Sequence, residues 1–202
     1  SKLSCAFVAL AGLAASASAD NVLDWNSLLL DSVAAEGVAP PRASRMMAMV
    51  HTAVFDAVNS IDRGYQPYLG YINPGGTASI DAAAAKAAHD VLVQLFPTRS
   101  AIFASQLDTH LAAIPDGGFK NRGISVGATA ATATLTSRIG DGSNLNPPYV
   151  PGGNPGDWVP TAPGFANALL PGWGQVTPFG LQSGSQFRAP PPASLTSAEY
   201  TA

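Results

Sequence analysis

The chain has 202 residues, of which 11% are charged and 47% are hydrophobic, and its formal net charge is −3. The hydrophobic fraction excludes a disordered chain, and the slightly acidic balance excludes nucleic-acid binding, which needs clustered Lys and Arg. No apolar run reaches the ~20 residues of a membrane-spanning helix, and the length is sufficient for one domain with its own core.

The first segment is typical of a secretory signal peptide. Lys2 precedes an apolar run over residues 3–15, which as a helix is too short to cross a hydrocarbon core of ~30 Å. Ala17 and Ala19 then give the small-x-small pattern of a cleavage site. We therefore expect residues 1–19 to be a signal peptide and the protein to be secreted or periplasmic. Cleavage would remove the only cysteine, and an ordinary buried helix is the alternative.

Residues 20–139 are predicted to form a bundle of about five helices. Apolar positions recur at helical spacing, and Gly or Pro residues separate the segments. Thr98 is the expected N-cap of the fourth helix. The helices are expected over Val22–Ala35, from Pro40-Pro41 to Ile61, and over Ser79–Phe96, Thr98–Ile114 and Phe119–Ile139.

The fifth predicted helix has one smooth face. Gly123, Gly127 and Ala131 are four residues apart, so small residues share one side of the helix. Such a face lets a neighbouring helix approach closely. The basic residues Lys120 and Arg122 argue against a dimer of membrane helices with this spacing. We therefore expect close helix packing at this face.

Residues 140–193 are predicted to be a long ordered coil that wraps the helical body. Residues 140–192 hold 11 of the 17 prolines and 10 of the 20 glycines, but only three charged residues. Residues 194–202 are expected to begin a further, truncated helix with Thr196 and Glu199 as its capping box. Flexible linkers lack aromatic residues, so we expect the coil to bury its aromatics against the helices: Tyr149, Trp158, Phe165, Trp173, Phe179 and Phe187.

The polar residues of the helical segment do not indicate a particular catalytic reaction. His51, His89 and His110 are too far apart in sequence for a local metal site. We expect His51 to be a core residue and the other two histidines to be exposed. Arg45 and Asp56 share a polar stripe of the second helix, which predicts either a buried ion pair between helices or a solvated face. We favour a structural role for both.

The remaining motifs are equally uninformative about chemistry. The segment Asp141–Asn144 resembles a calcium loop but lacks its acidic spacing and closing Glu. Phosphate-binding loops and serine-nucleophile motifs are missing from the sequence. We therefore predict no catalytic, cofactor-binding or metal-binding residue in this chain.

Several segments nevertheless follow one another in a recognisable order. They are Val22–Asn26, Pro40–Arg45, His51–Asn59, Ala87–Leu92, Leu95–Pro97, Asp141–Ser143, Gly156–Thr161, Pro171–Trp173 and Gln186–Pro192. Over nearly all of the chain after residue 19, this order resembles the N-terminal half of bacterial vanadium-dependent haloperoxidase-like proteins. These share an all-helical superfamily with the type 2 phosphatidic acid phosphatases.

The resemblance implies an all-α fold and, in the whole protein, an oxyanion site inside a helical bundle. Lys, Arg, Ser and His side chains would hold vanadate for halide oxidation by peroxide, or phosphate for phosphomonoester hydrolysis. The family's motifs are Lys-x6-Arg-Pro, Pro-Ser-Gly-His and Ser-Arg-x5-His, and none occurs here. Lys86 is followed seven residues later by Val93, and Asn144 stands where Ser137-Arg138 would require the histidine.

The missing motifs lead to two hypotheses. In the first, the chain is the N-terminal helical portion of an exported haloperoxidase-like or acid phosphatase-like protein. It would bind no cofactor itself, vanadate would belong to the full-length protein, and the chain alone would be inactive. Its partner would be the missing C-terminal half of the same protein, with a homo-oligomer as a further option. In the second, the chain is a complete secreted scaffold protein without enzymatic activity, whose partner surfaces are the Gly123/Gly127 face and the aromatic coil.

Overall fold

The structure, a computed structural model, describes residues 21–201, which form helices and coil without a β-strand. The predicted all-α class is therefore confirmed. The predicted signal peptide, residues 1–19, lies outside the described residues. The helices are α1 (Asn21–Ala35), α2 (Pro40–Asp62), α3 (Ile80–Leu95), α4 (Ser100–Ala112), α5 (Gly118–Ser137) and α6 (Ala198–Thr201).

The ends of α2 and α3 follow from the local sequence. Pro40 begins α2, where the missing amide hydrogen of proline costs least. The helix ends at Arg63, which has a left-handed backbone and donates its N–H to the carbonyl of Asn59. Ser79 caps α3, because its hydroxyl accepts a 3.1 Å hydrogen bond from the Ala82 amide.

Two predicted N-caps are wrong. A short 3-10 turn precedes α4, so the Thr98 hydroxyl is too early to cap that helix and instead donates to the Glu36 carboxylate at 2.5 Å. The last helix begins two residues after Thr196. The hydroxyl that accepts from its first turn is therefore that of Ser197, which lies 3.3 Å from the Tyr200 amide nitrogen.

The central helix of the bundle is α3, which contacts α1, α2, α4 and α5. Every alanine of α3 is buried, and these small side chains let the neighbouring helices come close. The predicted close packing of α5 is observed here. A Cβ added to Gly123 would lie 2.3 Å from the carbonyl oxygen of Ser79, and one added to Gly127 would lie 2.4 Å from that of Ala83. Only glycine fits at these two contacts.

Larger side chains fill the space on the other sides of α3. Each contributes roughly 1.5–3 kcal/mol when it is fully buried. The largest fully buried apolar side chains are Trp25, Phe96, Phe103, Leu29 and Leu92.

None of the helices within residues 21–201 is both long and apolar enough to cross a membrane.

The coil lies against the bundle but buries few of its aromatic side chains. Trp173 and Phe179 are half-buried. The other four are exposed, which corrects the prediction that the helices bury them all. The coil contacts the bundle mainly around Phe179, and these four aromatics lie away from that contact. The exposed fractions are 42% for Tyr149, 45% for Trp158, 64% for Phe165 and 79% for Phe187.

Candidate functional site

The polar stripe of α2 holds the loop that follows the helix. Asp56 is only 2% exposed, and its carboxylate accepts hydrogen bonds from the amides of Tyr68 at 2.6 Å and Leu69 at 2.9 Å. Asn59 binds the same loop through Tyr65. The stripe is therefore not a solvated face. Arg45 forms a buried ion pair, one of the two predicted alternatives, with Asp141 just beyond the end of α5, whereas Asp56 takes part in no ion pair among the described residues. Its role is structural, because it supplies acceptors to loop amides that would otherwise be buried unpaired.

A second polar cluster joins α2 to the end of α5. The Oδ2 atom of Asp141 accepts from Arg45 Nε at 2.7 Å and from Arg138 Nε and Nη2 at 2.9 and 2.8 Å. Its Oδ1 atom accepts from the Ser143 amide at 3.1 Å. We call Arg45, Arg138 and Asp141 the Asp141 node. The carboxylate is fully engaged, so it is not available as a calcium ligand.

The Asp141 node is buried, and it keeps its carboxylate ionised. The side chains of Asp141 and Arg138 are 3% and 4% exposed, and that of Arg45 is 15% exposed. Burial raises the pKa of Asp141, but the hydrogen bonds from Arg45 and Ser143 outweigh it and lower the pKa to about 2. The carboxylate is therefore ionised throughout the neutral range, and it serves as a permanent anchor for the two guanidinium groups.

The Asp141 node also attaches the coil to the bundle. The Thr177 amide donates to the Asp141 carbonyl at 2.8 Å, and Arg138 donates to the Thr177 carbonyl. The Arg138 guanidinium lies 4.1 Å from the ring centroid of Phe179. From the other side, the Tyr68 hydroxyl donates to the Phe179 carbonyl at 2.5 Å. The coil is thus held by hydrogen bonds and one cation–π contact around residues 177–179.

The three histidines occupy environments opposite to those predicted. His51 is exposed, with Nε2 3.0 Å from Asn26 Oδ1, so it is not a core residue. The side chains of His89 and His110 are only 16% and 14% exposed. Trp25 covers them, with ring centroids 6.4 Å from His89 and 5.9 Å from His110. The α1 indole fills the space between α3 and α4, which the sequence pattern of those two helices did not reveal.

Each of the two covered histidines lies beside a carboxylate. His89 Nδ1 is 2.7 Å from Asp90 Oδ1, and His110 Nε2 is 3.5 Å from Asp24 Oδ2. Burial raises the pKa of Asp90, but hydrogen bonds from His89 and Lys86 leave it lowered overall. Histidine–carboxylate pairs occur in general-base catalysis. No hydroxyl or thiol of the described residues hydrogen-bonds to either imidazole, and His110 Nε2 also lies 2.8 Å from Gln106 Nε2.

The lysines and the two converging arginines of residues 21–201 do not form a site for a vanadate ion. An oxyanion in a protein needs several fixed cations and donors around one point. Lys86 and Lys120 each pair with an aspartate on or beside their own helix. Arg45 and Arg138 do converge, but the Asp141 carboxylate already occupies the point where they meet. Within the same residues, no group of three or more His, Cys, Asp or Glu side chains could hold a metal ion.

The largest cleft among the described residues lies in the coil, and a cleft of about 570 Å³ lies beside the Asp141 node. Tyr149 and Trp158 form an edge-to-face pair with centroids 5.4 Å apart, and they line a cleft of about 700 Å³. A further cleft of about 420 Å³ shares Tyr149, Asn167, Ala168 and Pro171 with it. No charged side chain lines either cleft of the coil. We call the two clefts together the coil groove, which is formed by Tyr149, Trp158, Leu169, Pro148, Pro163 and Pro171.

Comparison with known proteins identifies a fold but no sequence relative. No protein-family model and no curated protein matches the sequence. Among solved structures, the chain is similar to a bacterial vanadium-dependent iodoperoxidase, with a TM-score of 0.72 and 20% sequence identity. The similarity covers 90% of this chain and 48% of the iodoperoxidase chain. The chain thus spans about half the length of that enzyme, and it has a haloperoxidase-like fold over that half.

Proposed function

We propose that the chain is the N-terminal helical portion of an exported vanadium-dependent haloperoxidase-like protein. The observation that carries this proposal is the similarity of 90% of the chain to 48% of an iodoperoxidase. The oxyanion-binding motifs, and with them the peroxidase chemistry, would lie in sequence that follows residue 202. Residues 1–19 would direct export and be removed.

Two features of the described residues support a structural role for this portion. The polar clusters are built to hold the coil and the loop after α2, since their donors and acceptors are paired within the chain. The Asp141 carboxylate occupies the convergence point of Arg45 and Arg138. The chain therefore supplies a folded body against which an oxyanion site elsewhere in the protein can be built.

The alternative hypothesis, a complete scaffold protein, predicted two partner surfaces, and one of them is not accessible. The Gly123/Gly127 face packs against α3, with backbone atoms so close that no side chain fits between the helices. That face is therefore not free to bind another protein. The exposed aromatics of the coil remain a partner surface under both hypotheses.

The test compares the 202-residue chain with the polypeptide that continues in frame after residue 202. Both are assayed for iodide oxidation with vanadate and hydrogen peroxide, and for phosphomonoester hydrolysis without vanadate. We expect the longer polypeptide to oxidise iodide and the 202-residue chain to give only the rate of free vanadate. The phosphatase assay distinguishes the two chemistries of the superfamily.

Two results would contradict the proposal. One is halide oxidation by the 202-residue chain at a rate above free vanadate. The other is a downstream reading frame without the Lys-x6-Arg-Pro and Pro-Ser-Gly-His motifs. Export is checked separately, because cleavage after Ala19 predicts that the secreted protein begins at Asp20.

A further inference from the structure

The Asp141 node carries an unbalanced positive charge. Arg45 and Arg138 are both cations, and among the described residues each of them pairs only with the single carboxylate of Asp141. The three side chains together therefore carry a net charge of +1. A cation that is mostly buried has lost much of its hydration, so it gains from a second negative partner.

The free hydrogen-bonding capacity of the Asp141 node belongs to Arg45. A guanidinium group has five N–H donors. Arg45 Nε donates to Asp141, and Nη2 donates to the Arg138 carbonyl at 3.3 Å. Arg45 Nη1 has no hydrogen-bond partner among the described residues, and it is not buried, since the side chain is 15% exposed. The nitrogen atoms of Arg138, by contrast, are occupied by Asp141, Thr177 and Pro178.

The cleft of about 570 Å³ beside the Asp141 node combines this charge with apolar walls, and we call it the node cleft. Both arginines line it, and Asp141 is the only acidic side chain that does so. A cleft of this size, with apolar walls and a few polar groups, is typical of a site for a small organic ligand. The apolar side chains of its wall are Met49, Leu95, Ile139 and Leu145.

We propose that the node cleft binds a small organic carboxylate. The carboxylate group pairs with the unoccupied edge of Arg45, because a guanidinium group donates two parallel hydrogen bonds to this planar anion. Its single negative charge balances the net charge of the Asp141 node, and its apolar part lies against Met49 and Leu95. This inference goes beyond the proposed function and does not depend on it, since it uses only groups within the described residues.

The node cleft suits a carboxylate better than phosphate or vanadate. Those oxyanions need several fixed cations and donors around one point, whereas Asp141 leaves only the edge of Arg45 unoccupied. Arg45 also borders a smaller cavity of about 250 Å³, which Trp173, Phe179 and Leu181 line. We assign the ligand to the node cleft because both guanidinium groups act there.

The experiment follows the backbone amide signals of residues 139–145 by NMR spectroscopy of the 202-residue chain, with hexanoate as the probe. We expect saturable shifts with hexanoate and none with hexanol at the same concentration. Arg45 also holds the coil, so the variants are made at exposed positions. Ile139→Asp adds a competing carboxylate at a side chain that lines the node cleft and is 79% exposed. It should weaken hexanoate binding by about tenfold or more.

The matched control is Val150→Asp, because Val150 is 82% exposed and does not line the node cleft. This variant should bind hexanoate as the original chain does. An absence of shifts with hexanoate overturns the proposal, and so do equal shifts with hexanol, which would show that the charge has no role.

Two further results would also overturn the proposal. Inorganic phosphate that binds as tightly as hexanoate would indicate a general anion site. Leu181→Asp that weakens binding more than Ile139→Asp would place the ligand in the smaller cavity. Each of these failures is distinguishable from a failure of the proposed function, because that function is tested by iodide oxidation in the extended polypeptide.

Discussion

The helical bundle and the coil are stabilised in different ways. In the bundle, small residues on α3 and α5 bring the helices together, and apolar side chains such as Trp25 and Phe103 fill the remaining space. In the coil, most aromatics stay in water, and the attachment to the bundle is polar. The contrast shows that apolar packing holds the bundle, whereas the coil depends on a few anchoring contacts around Asp141 and residues 177–179.

The largest effect is expected from a change that keeps α3 and α5 apart. Gly127→Val places side-chain atoms where a Cβ would already be 2.4 Å from the Ala83 carbonyl oxygen. We expect the free energy of unfolding to fall by about 3 kcal/mol or more, measured by chemical denaturation. Gly153→Val in the coil is the control, because nothing lies within 4 Å of a Cβ at that position. Equal losses for the two variants would show that the bundle does not depend on this contact.

A smaller effect is expected when the coil anchor loses its charge. The pKa of Asp141 is about 2 in the folded chain against an ordinary value of 3.8. A lowered pKa stabilises the fold above pH 4, and this stability is lost as the pH falls from 4 to 2. The shift corresponds to about 2 kcal/mol. We expect Asp141→Asn to lower stability at pH 7 by this amount and to remove that part of the pH dependence.

The control for the Asp141 anchor lies in the same coil. Asp157 is exposed and accepts a hydrogen bond only from the Asn154 amide among the described residues. Asp157→Asn should therefore leave both stability and its pH dependence nearly unchanged. If Asp141→Asn behaved like Asp157→Asn, the coil would not be held by the Asp141 node.

The smallest effect is expected from one hydrogen bond between the loop after α2 and the coil. Tyr68→Phe removes the hydroxyl that donates to the Phe179 carbonyl at 2.5 Å. We expect a loss of about 1 kcal/mol and faster proteolysis of the coil, with the helicity of the bundle unchanged. Tyr200→Phe, at a side chain that is 59% exposed, is the matched control. A loss of helicity in Tyr68→Phe would contradict the separation of bundle and coil.

The helices could be predicted from the sequence because their signals are local. The Pro40 start of α2, the start of α3 near Ser79 and the smooth face of α5 each depend on neighbouring residues in the chain. The Gly123 spacing predicted close packing, and the structure adds that α3 is the partner.

The polar clusters could not be predicted, because they depend on residues far apart in sequence. Asp141 is 96 residues from Arg45, and its neighbours in sequence resemble only a calcium loop without the acidic spacing. Helical spacing places Asp56 in the polar stripe of α2, but its partners could not be predicted, because they are backbone amides of a loop and leave no pattern in the sequence. The covered histidines depend on the position of Trp25, which only the packing of α1 determines.

The position of Trp25 has a consequence for fluorescence measurements. The indole is 1% exposed, and its N–H has no hydrogen-bond partner among residues 21–201. Its emission therefore comes from an apolar environment at short wavelength, whereas Trp158 is 45% exposed to water and Trp173 is half-buried in the middle of the coil. One tryptophan thus reports on the bundle and two on the coil. The same spectrum can follow the loss of each region separately during unfolding.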